Sequence, residues 1–310
     1  MKVTIVFPGQ GTQYVGMGKN FIDTNFFEKA NRATGYNLQK IMLEGPGEIL
    51  KLTENTQPAI VAHSLMLFEQ LKMILASKSI IVEQVLGHSV GEYAALSAAG
   101  VLSFEDAVRA VHFRGKFMQE ATPPGKGTMY AILKQSEEII REACNYASTQ
   151  DEKVSPANFN EPSQIVISGD RGACERAIKY IEEKTGARVK GIELQVSAPF
   201  HCELMKPAEL RLREVLNKCV FNHQRIPYVA NVDAQIYGLE TPYEQIIHNL
   251  IKQVCGSVLW TQSIQKFSDE TIIIECGPGK VLAGLIKKIN PNLKVISLDS
   301  ETGFSEVEAL

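Results

Sequence analysis

Apolar and polar positions along the chain change period several times, and those changes mark out its elements. Residues 3–7 form a short β-branched apolar run stopped by Pro8 and Gly9, the pattern of a buried strand. Residues 21–33 and 58–75 place apolar side chains at helical spacing. A second strand is predicted at 81–86. An Ala-rich helix follows at 92–99, with Gly100 closing it, and another helix at 104–118. Pro123, Pro124, Gly125 and Gly127 then interrupt the chain.

The rhythm changes after this break. Strands are predicted at 128–134, 154–159, 164–168 and 188–194. Helices are predicted at 136–147, from an N-cap at Ser136, and at 171–184. The order β-α-β-β-α-β is that of a ferredoxin-like unit. It predicts a small domain at 125–196 set into a large α/β domain built from 1–124 and 197–310. Beyond Ser197, helices at 204–216, 242–253, 260–267 and 281–289 alternate with strands at 228–232, 271–275 and 293–298. That alternation argues for a parallel sheet. The acidic tail after Asp299 is expected to be loosely held.

Composition narrows the class. The chain has 310 residues, 45% of them hydrophobic and 22% charged, which excludes disordered, collagen-like and coiled-coil chains. Its net charge of -3 gives no basic field for nucleic acid. Six cysteines without a CxxC pair suggest neither zinc site nor disulfide framework, but reduced thiols in the cytoplasm. No stretch reads as the roughly 18 apolar residues that a membrane span needs. The N-terminal apolar run is too short for a signal segment.

The sharpest chemical signal is Gly87-His88-Ser89-Val90-Gly91, a GxSxG between a predicted strand and helix. The string alone is weak. Its setting is that of a nucleophile elbow, where glycines admit a tight turn and leave the serine hydroxyl exposed. The Val90 N–H, at the start of a helix, is then a natural donor to an oxyanion. Gly9-Gln10-Gly11, directly after the first strand, could supply a second donor, or could be a simple tight turn. A serine needs a base. His88 adjoins it but should point away, and His63 and His112 lie in helical patterns. His201 follows the extended Ala198-Pro199-Phe200 segment, a setting for a site loop or for a capping histidine. Cys202 beside it reads as a packed thiol, with a thiol nucleophile as the alternative. Arg114 falls on the apolar stripe of the 104–118 helix. It either snorkels to the rim or presents its planar fork to a carboxylate.

Taken in order, FPGQGTQYVGMG, GHSVGEYAALSAAG, RGKFMQEA, APFHCELMKPA, NVDA, LIKQV, VLW and ECGPGKVLAGLIKKI resemble the motifs of one family. It is the malonyl-CoA:acyl carrier protein transacylases, with the related acyltransferase domains of polyketide synthases. The resemblance implies a hydrolase-like α/β core with a ferredoxin-like insertion. It implies Ser89 as the acylated nucleophile, His201 as its base, and Gln10 and Val90 as oxyanion donors. Arg114 would hold the malonyl carboxylate, and the backbone carbonyl of Gln253 would orient His201. Asn158 and Asn160 would lie in a loop reaching the site from the small domain. Phe200 looks like the malonyl-selecting residue. Ser257 and Ala230 depart from the proline and asparagine common in the family. The implied partners are malonyl-CoA and an acyl carrier protein, in fatty-acid or polyketide biosynthesis. Coenzyme A enters only as a substrate thioester, and no metal is called for. The chain opens on its first strand, which suits a free-standing enzyme. A serine thioesterase on the same elbow and a non-catalytic acyl-binding module are the competing readings. A carboxylate clamp argues against the first, an intact Ser89 and His201 against the second.

Overall fold

The computed structural model describes residues 1–21, 25–300 and 302–310. The chain begins with β1 (Lys2–Phe7), which is buried from Val3 onward. α1 (Asn25–Thr34) follows, and residues 22–24 of the predicted 21–33 helix lie outside the described residues. Two short helices, α2 (Leu38–Glu44) and α3 (Gly47–Leu50), were not predicted. They are too short for a period to show. α2 depends instead on its Asn37 cap, which accepts from the Lys40 N–H at 2.9 Å.

α4 (Thr53–Ser77) begins five residues before Pro58, where the sequence had placed its start. Proline has no N–H for the Glu54 carbonyl one turn back. That carbonyl accepts instead from His112 Nδ1 at 3.1 Å and the Tyr36 hydroxyl at 3.3 Å. Contrary to the sequence expectation, α4 is long and apolar enough to cross a membrane. Yet 67% of its apolar window is buried inside the protein, as in a core helix. After α4 come β2 (Ile81–Gly87), α5 (Gly91–Ala98), ended by Gly100 at φ +82°, and α6 (Phe104–Glu120).

Next come β3 (Gly127–Leu133), α7 (Glu137–Ala147), β4 (Val154–Glu161), β5 (Gln164–Asp170), α8 (Arg171–Thr185) and β6 (Lys190–Glu193). Their four strands form a separate antiparallel sheet in the order β4-β5-β3-β6. The sheet and its helices close on a cluster of their own that includes Ile132, Ile140, Phe159, Ile167 and Ile181. As predicted, α7 starts at a Ser136 cap, which accepts from the Ile139 N–H.

The remainder contributes α9 (Lys206–Leu216), β7 (Tyr228–Val229), β8 (Ile236–Tyr237), α10 (Tyr243–Cys255), α11 (Trp260–Ile264), β9 (Ile272–Glu275), α12 (Val281–Ile289), β10 (Lys294–Ser297) and α13 (Gly303–Glu308). A six-stranded sheet runs β10-β9-β1-β2-β7-β8. It is parallel except at the edge, where β8 folds back antiparallel on β7. The acidic tail is not loose. α13 buries Val307 completely, and a Cβ on Gly303 would stand 2.2 Å from the Ser297 carbonyl oxygen. The buried Val307 side chain and the close backbone approach at Gly303 hold it against β10.

β1 at the sheet's centre pairs with β2, with Phe7 opposite Gly87. The turns leaving these two strands, Gly9-Gln10-Gly11 and the GxSxG, therefore lie side by side at the carboxyl end of the sheet, where α/β ligands gather.

Candidate active site

The turn between β2 and α5 needs both its glycines. A Cβ on Gly87 would meet the Gly91 carbonyl carbon at 1.9 Å, and one on Gly91 would meet the Phe7 carbonyl oxygen at 2.2 Å. Ser89 sits between them at φ +51°, a left-handed conformation costing on the order of 1–3 kcal/mol that surrounding contacts must hold. Three bonds do so. The Ser89 N–H donates to Asn231 Oδ1 at 2.7 Å, Asn231 Nδ2 to the Gly87 carbonyl at 2.6 Å, and Gln253 Nε2 to the Ser89 carbonyl at 2.9 Å.

His201, also left-handed at φ +59°, lies 112 residues along the chain, with Nε2 at 2.7 Å from Ser89 Oγ. Its Nδ1 faces two carbonyl oxygens, Gln253 at 2.8 Å and Gly256 at 3.1 Å. Carbonyls only accept, so Nδ1 carries the proton and Nε2 presents a lone pair to the serine hydroxyl. Burial, and then the nearby Arg114 charge, lower the His201 pKa to about 3.

Three other histidines, His88, His63 and His112, are occupied elsewhere. His88 Nε2 lies 2.8 Å from Asn160 Oδ1, and its ring packs edge-on against Trp260. His63 Nε2 lies 3.3 Å from Asp299, and His112 serves the Glu54 carbonyl. Cys202 is a packed thiol. Its Sγ donates to the Pro199 carbonyl, and burial pushes its pKa up to about 11.

Arg114 is only 1% exposed, so it does not snorkel. Nη1 donates to Gln57 Oε1 at 2.8 Å. Nη2 donates to Gln253 Oε1 at 2.9 Å and to Ser89 Oγ at 3.2 Å. The guanidinium lies over the Tyr93 ring, and Nε has no partner. No carboxylate among the described residues forms an ion pair with it. A buried cation without a counter-charge is costly, and it stands beside the serine hydroxyl in position to take one.

A cavity of ≈ 320 Å³ opens over these groups. Ser89, His201, Arg114, Gln10, Val90 and Phe200 line it from the parallel-sheet side, and Asn158, Asn160, Met129 and Val166 from the antiparallel sheet. Asn158 and Asn160 are on strand β4, not in a loop; Asn158 lies within the predicted 154–159 strand, and Asn160 joins it because β4 runs on to Glu161. Gln253 stands behind the pocket wall, with both amide and carbonyl engaged. Gln10 Nε2 donates to Thr53 Oγ1 at 3.3 Å. The Ser257 hydroxyl donates to the Pro156 carbonyl at 2.6 Å, binding the loop after α10 to β4. Ala230 is fully buried. Sequence reasoning missed Gln57 and the clamping role of Asn231. Both are ordinary polar residues whose partners lie far away in sequence.

The acyl transferase domain family matches residues 4–284. The chain is 41% identical to the malonyl CoA-acyl carrier protein transacylase of Bacillus subtilis over 309 residues, 97% of this chain and 95% of that protein. Among solved structures, the malonyl-CoA:acyl carrier protein transacylase of Xanthomonas oryzae superposes with a TM-score of 0.91 at 37% identity. The match covers 99% of this chain and 97% of that one. A malonyl-transacylase solved in complex with its type II polyketide synthase acyl-carrier protein gives 0.90 at 37% identity, over 100% and 99% of the two chains.

Proposed function

The chain belongs to the malonyl CoA-acyl carrier protein transacylase family, and on that footing we propose that it moves malonyl from coenzyme A to an acyl carrier protein through an ester on Ser89. Ser89 Oγ attacks the thioester carbonyl carbon while its proton passes to His201 Nε2. The tetrahedral oxyanion faces the backbone N–H groups of Val90 and Gln10. Collapse breaks the C–S bond, and the proton on His201 goes to the departing coenzyme A thiolate. The phosphopantetheine thiol of the carrier then repeats the sequence in reverse. Arg114 pairs with the malonyl carboxylate, and Phe200 beside the base leaves little room for an α-methyl group. The Gln253 carbonyl keeps His201 in the required tautomer, which makes a dyad sufficient. No resident cofactor or metal enters these steps. Malonyl carrier made in this way serves fatty-acid or polyketide synthesis.

The observation that carries this reading is one hydroxyl, on Ser89, touched by both a bare imidazole nitrogen and an uncompensated buried guanidinium. A thioesterase acting on neutral acyl chains has no use for the second. Incubation with malonyl-CoA and a panel of holo carrier proteins, followed by intact mass, is the test. Malonylated carrier is expected. Free malonate with unmodified carrier would mean a hydrolase.

Residues 125–196 are assigned to a ferredoxin-like small domain set into a hydrolase-like domain of 1–124 and 197–310. The strand order and the separate apolar cluster support this. The six cysteines are free, which suits the cytoplasm.

The pH profile is a further check. A general base works when neutral, and the lowered His201 pKa keeps it neutral far below the usual imidazole range. The kcat/KM for malonyl-CoA, which reports the free enzyme, should therefore stay flat from about pH 7 to about pH 5, with its acid limb displaced downward. An ordinary histidine limb near pH 6.5 would show that His201 is solvated in the working enzyme.

A further inference from the structure

Directly behind the reactive serine lies a carboxyl group that the acyl-transfer steps do not use. Glu92, three residues after Ser89 on α5, is completely enclosed. Its Oε2 accepts from Gln253 Nε2 at 2.5 Å, and its Oε1 has no partner. Gln253 is thereby tied to the whole site. Its Nε2 also holds the Ser89 carbonyl, its Oε1 accepts from Arg114, and its backbone carbonyl accepts from His201. A side-chain amide is nearly symmetric in shape and opposite in polarity at its two ends. A flipped Gln253 would aim its NH₂ at the guanidinium, donor against donor, and its oxygen at the Glu92 oxygen that now accepts from Nε2. An accepting oxygen on Glu92, together with the donor on Arg114, favours the observed orientation.

The titratable groups around Glu92 come from several elements. Arg114 faces it from α6, Tyr93 from its own helix, Tyr228 from β7, Tyr237 from β8 and Asp233 from the turn between those strands. Arg114 is the cation among them, and Glu92 is the carboxyl that it feels. Burial outweighs that attraction and the Gln253 hydrogen bond, and pushes the Glu92 pKa up to about 8.

We propose that Glu92 is a positioning residue that locks the Gln253 carboxamide toward Arg114 and must hold its proton while Arg114 holds a substrate carboxylate. The proposal rests on the reading of Arg114 as the malonyl clamp. One guanidinium balances one negative charge, so an ionised Glu92 beside a bound carboxylate is a buried like charge. Binding and protonation are then linked. If the bound carboxylate raises the Glu92 pKa by about one unit, the ionised enzyme binds malonyl-CoA about tenfold more weakly.

The experiment measures kcat/KM for malonyl-CoA and acetyl-CoA between about pH 7 and about pH 9.5 in wild type, Glu92→Gln and Glu92→Ala. In wild type, malonyl transfer should fall about tenfold around pH 8 while acetyl transfer stays level. Glu92→Gln keeps the acceptor oxygen without the charge. It should retain malonyl transfer at pH 7 and lose the alkaline fall. Glu92→Ala frees the Gln253 amide and should lose malonyl transfer preferentially. An alkaline fall that persists in Glu92→Gln, or that acetyl transfer shares, would overturn the proposal. Should Glu92→Gln fail to fold, calorimetry of malonyl-CoA binding to Ser89→Ala near pH 8, in buffers of different ionisation enthalpy, decides instead. Net proton uptake is expected, and none overturns the proposal. Failure of the clamp reading looks different, because Arg114→Ala would then reduce both acyl donors equally.

Discussion

Replacing Ser89 with alanine is expected to reduce carrier malonylation to background, a loss on the order of 10⁴–10⁶ in kcat. Alanine keeps the Cβ that the φ +51° position already accommodates. The bonds holding the elbow run through the Ser89 backbone to Asn231 and Gln253, so they survive. What disappears is Oγ, the atom to which both His201 and Arg114 are directed. His201→Ala should lower turnover by about 10²–10⁴, the usual worth of a positioned base. The double variant should be no worse than Ser89→Ala, because a base without its nucleophile has nothing to deprotonate. Steady-state transfer with malonyl-CoA and a holo carrier reads all three. Ser89→Ala retaining more than a few per cent of wild-type transfer would exclude it as the acylated residue.

Arg114→Ala should lose malonyl selectivity more than it loses chemistry. Two parallel N–H···O⁻ bonds from a planar fork fit a carboxylate. Hydrogen bonds to charged groups contribute about 1.5–3 kcal/mol, or about 10–150-fold in affinity. The kcat/KM for malonyl-CoA should fall by that order or more, since its carboxylate then lies desolvated and unpaired. Acetyl-CoA brings no carboxylate, so its kcat/KM should hold or rise. Arg114→Lys should recover little, because an ammonium cannot reach Gln57, Gln253 and the substrate as a fork does. Removing the guanidinium also strips Gln57 Oε1 and Gln253 Oε1 of their donor, so thermal unfolding should be followed alongside. The quantity to compare is the malonyl-to-acetyl ratio in wild type and both variants. Equal losses for both donors would make Arg114 structural and place the clamp elsewhere.

Much of this molecule was legible where the chain's local pattern and its environment agree. β1 reads as a strand because it is buried on both faces at the centre of a parallel sheet, leaving no polar side to its pattern. The elbow is legible because the close approach of Gly87 and Gly91 to neighbouring backbone forces glycine at fixed spacing. Arg114 stands out because a charge on an apolar stripe contradicts its surroundings. Legibility fails where structure depends on distant partners. Pro58 looked like a helix start, but α4 tolerates it because His112 and Tyr36 take over the freed carbonyl. Two-residue strands such as β8 are set by pairing and not by period. Glu92, Gln57 and Asn231 carry no local signal at all. Each is a polar residue whose meaning comes from groups brought to it only by the fold, and Glu92 meets Gln253 across 161 positions.

The most direct test is peptide mapping after brief exposure to malonyl-CoA without carrier protein. A malonyl ester is expected on Ser89, absent from Ser89→Ala, and discharged when holo carrier is added. A malonyl adduct on Cys202 with Ser89 unmodified, or no adduct in an enzyme that still malonylates carrier, would contradict acyl transfer through Ser89.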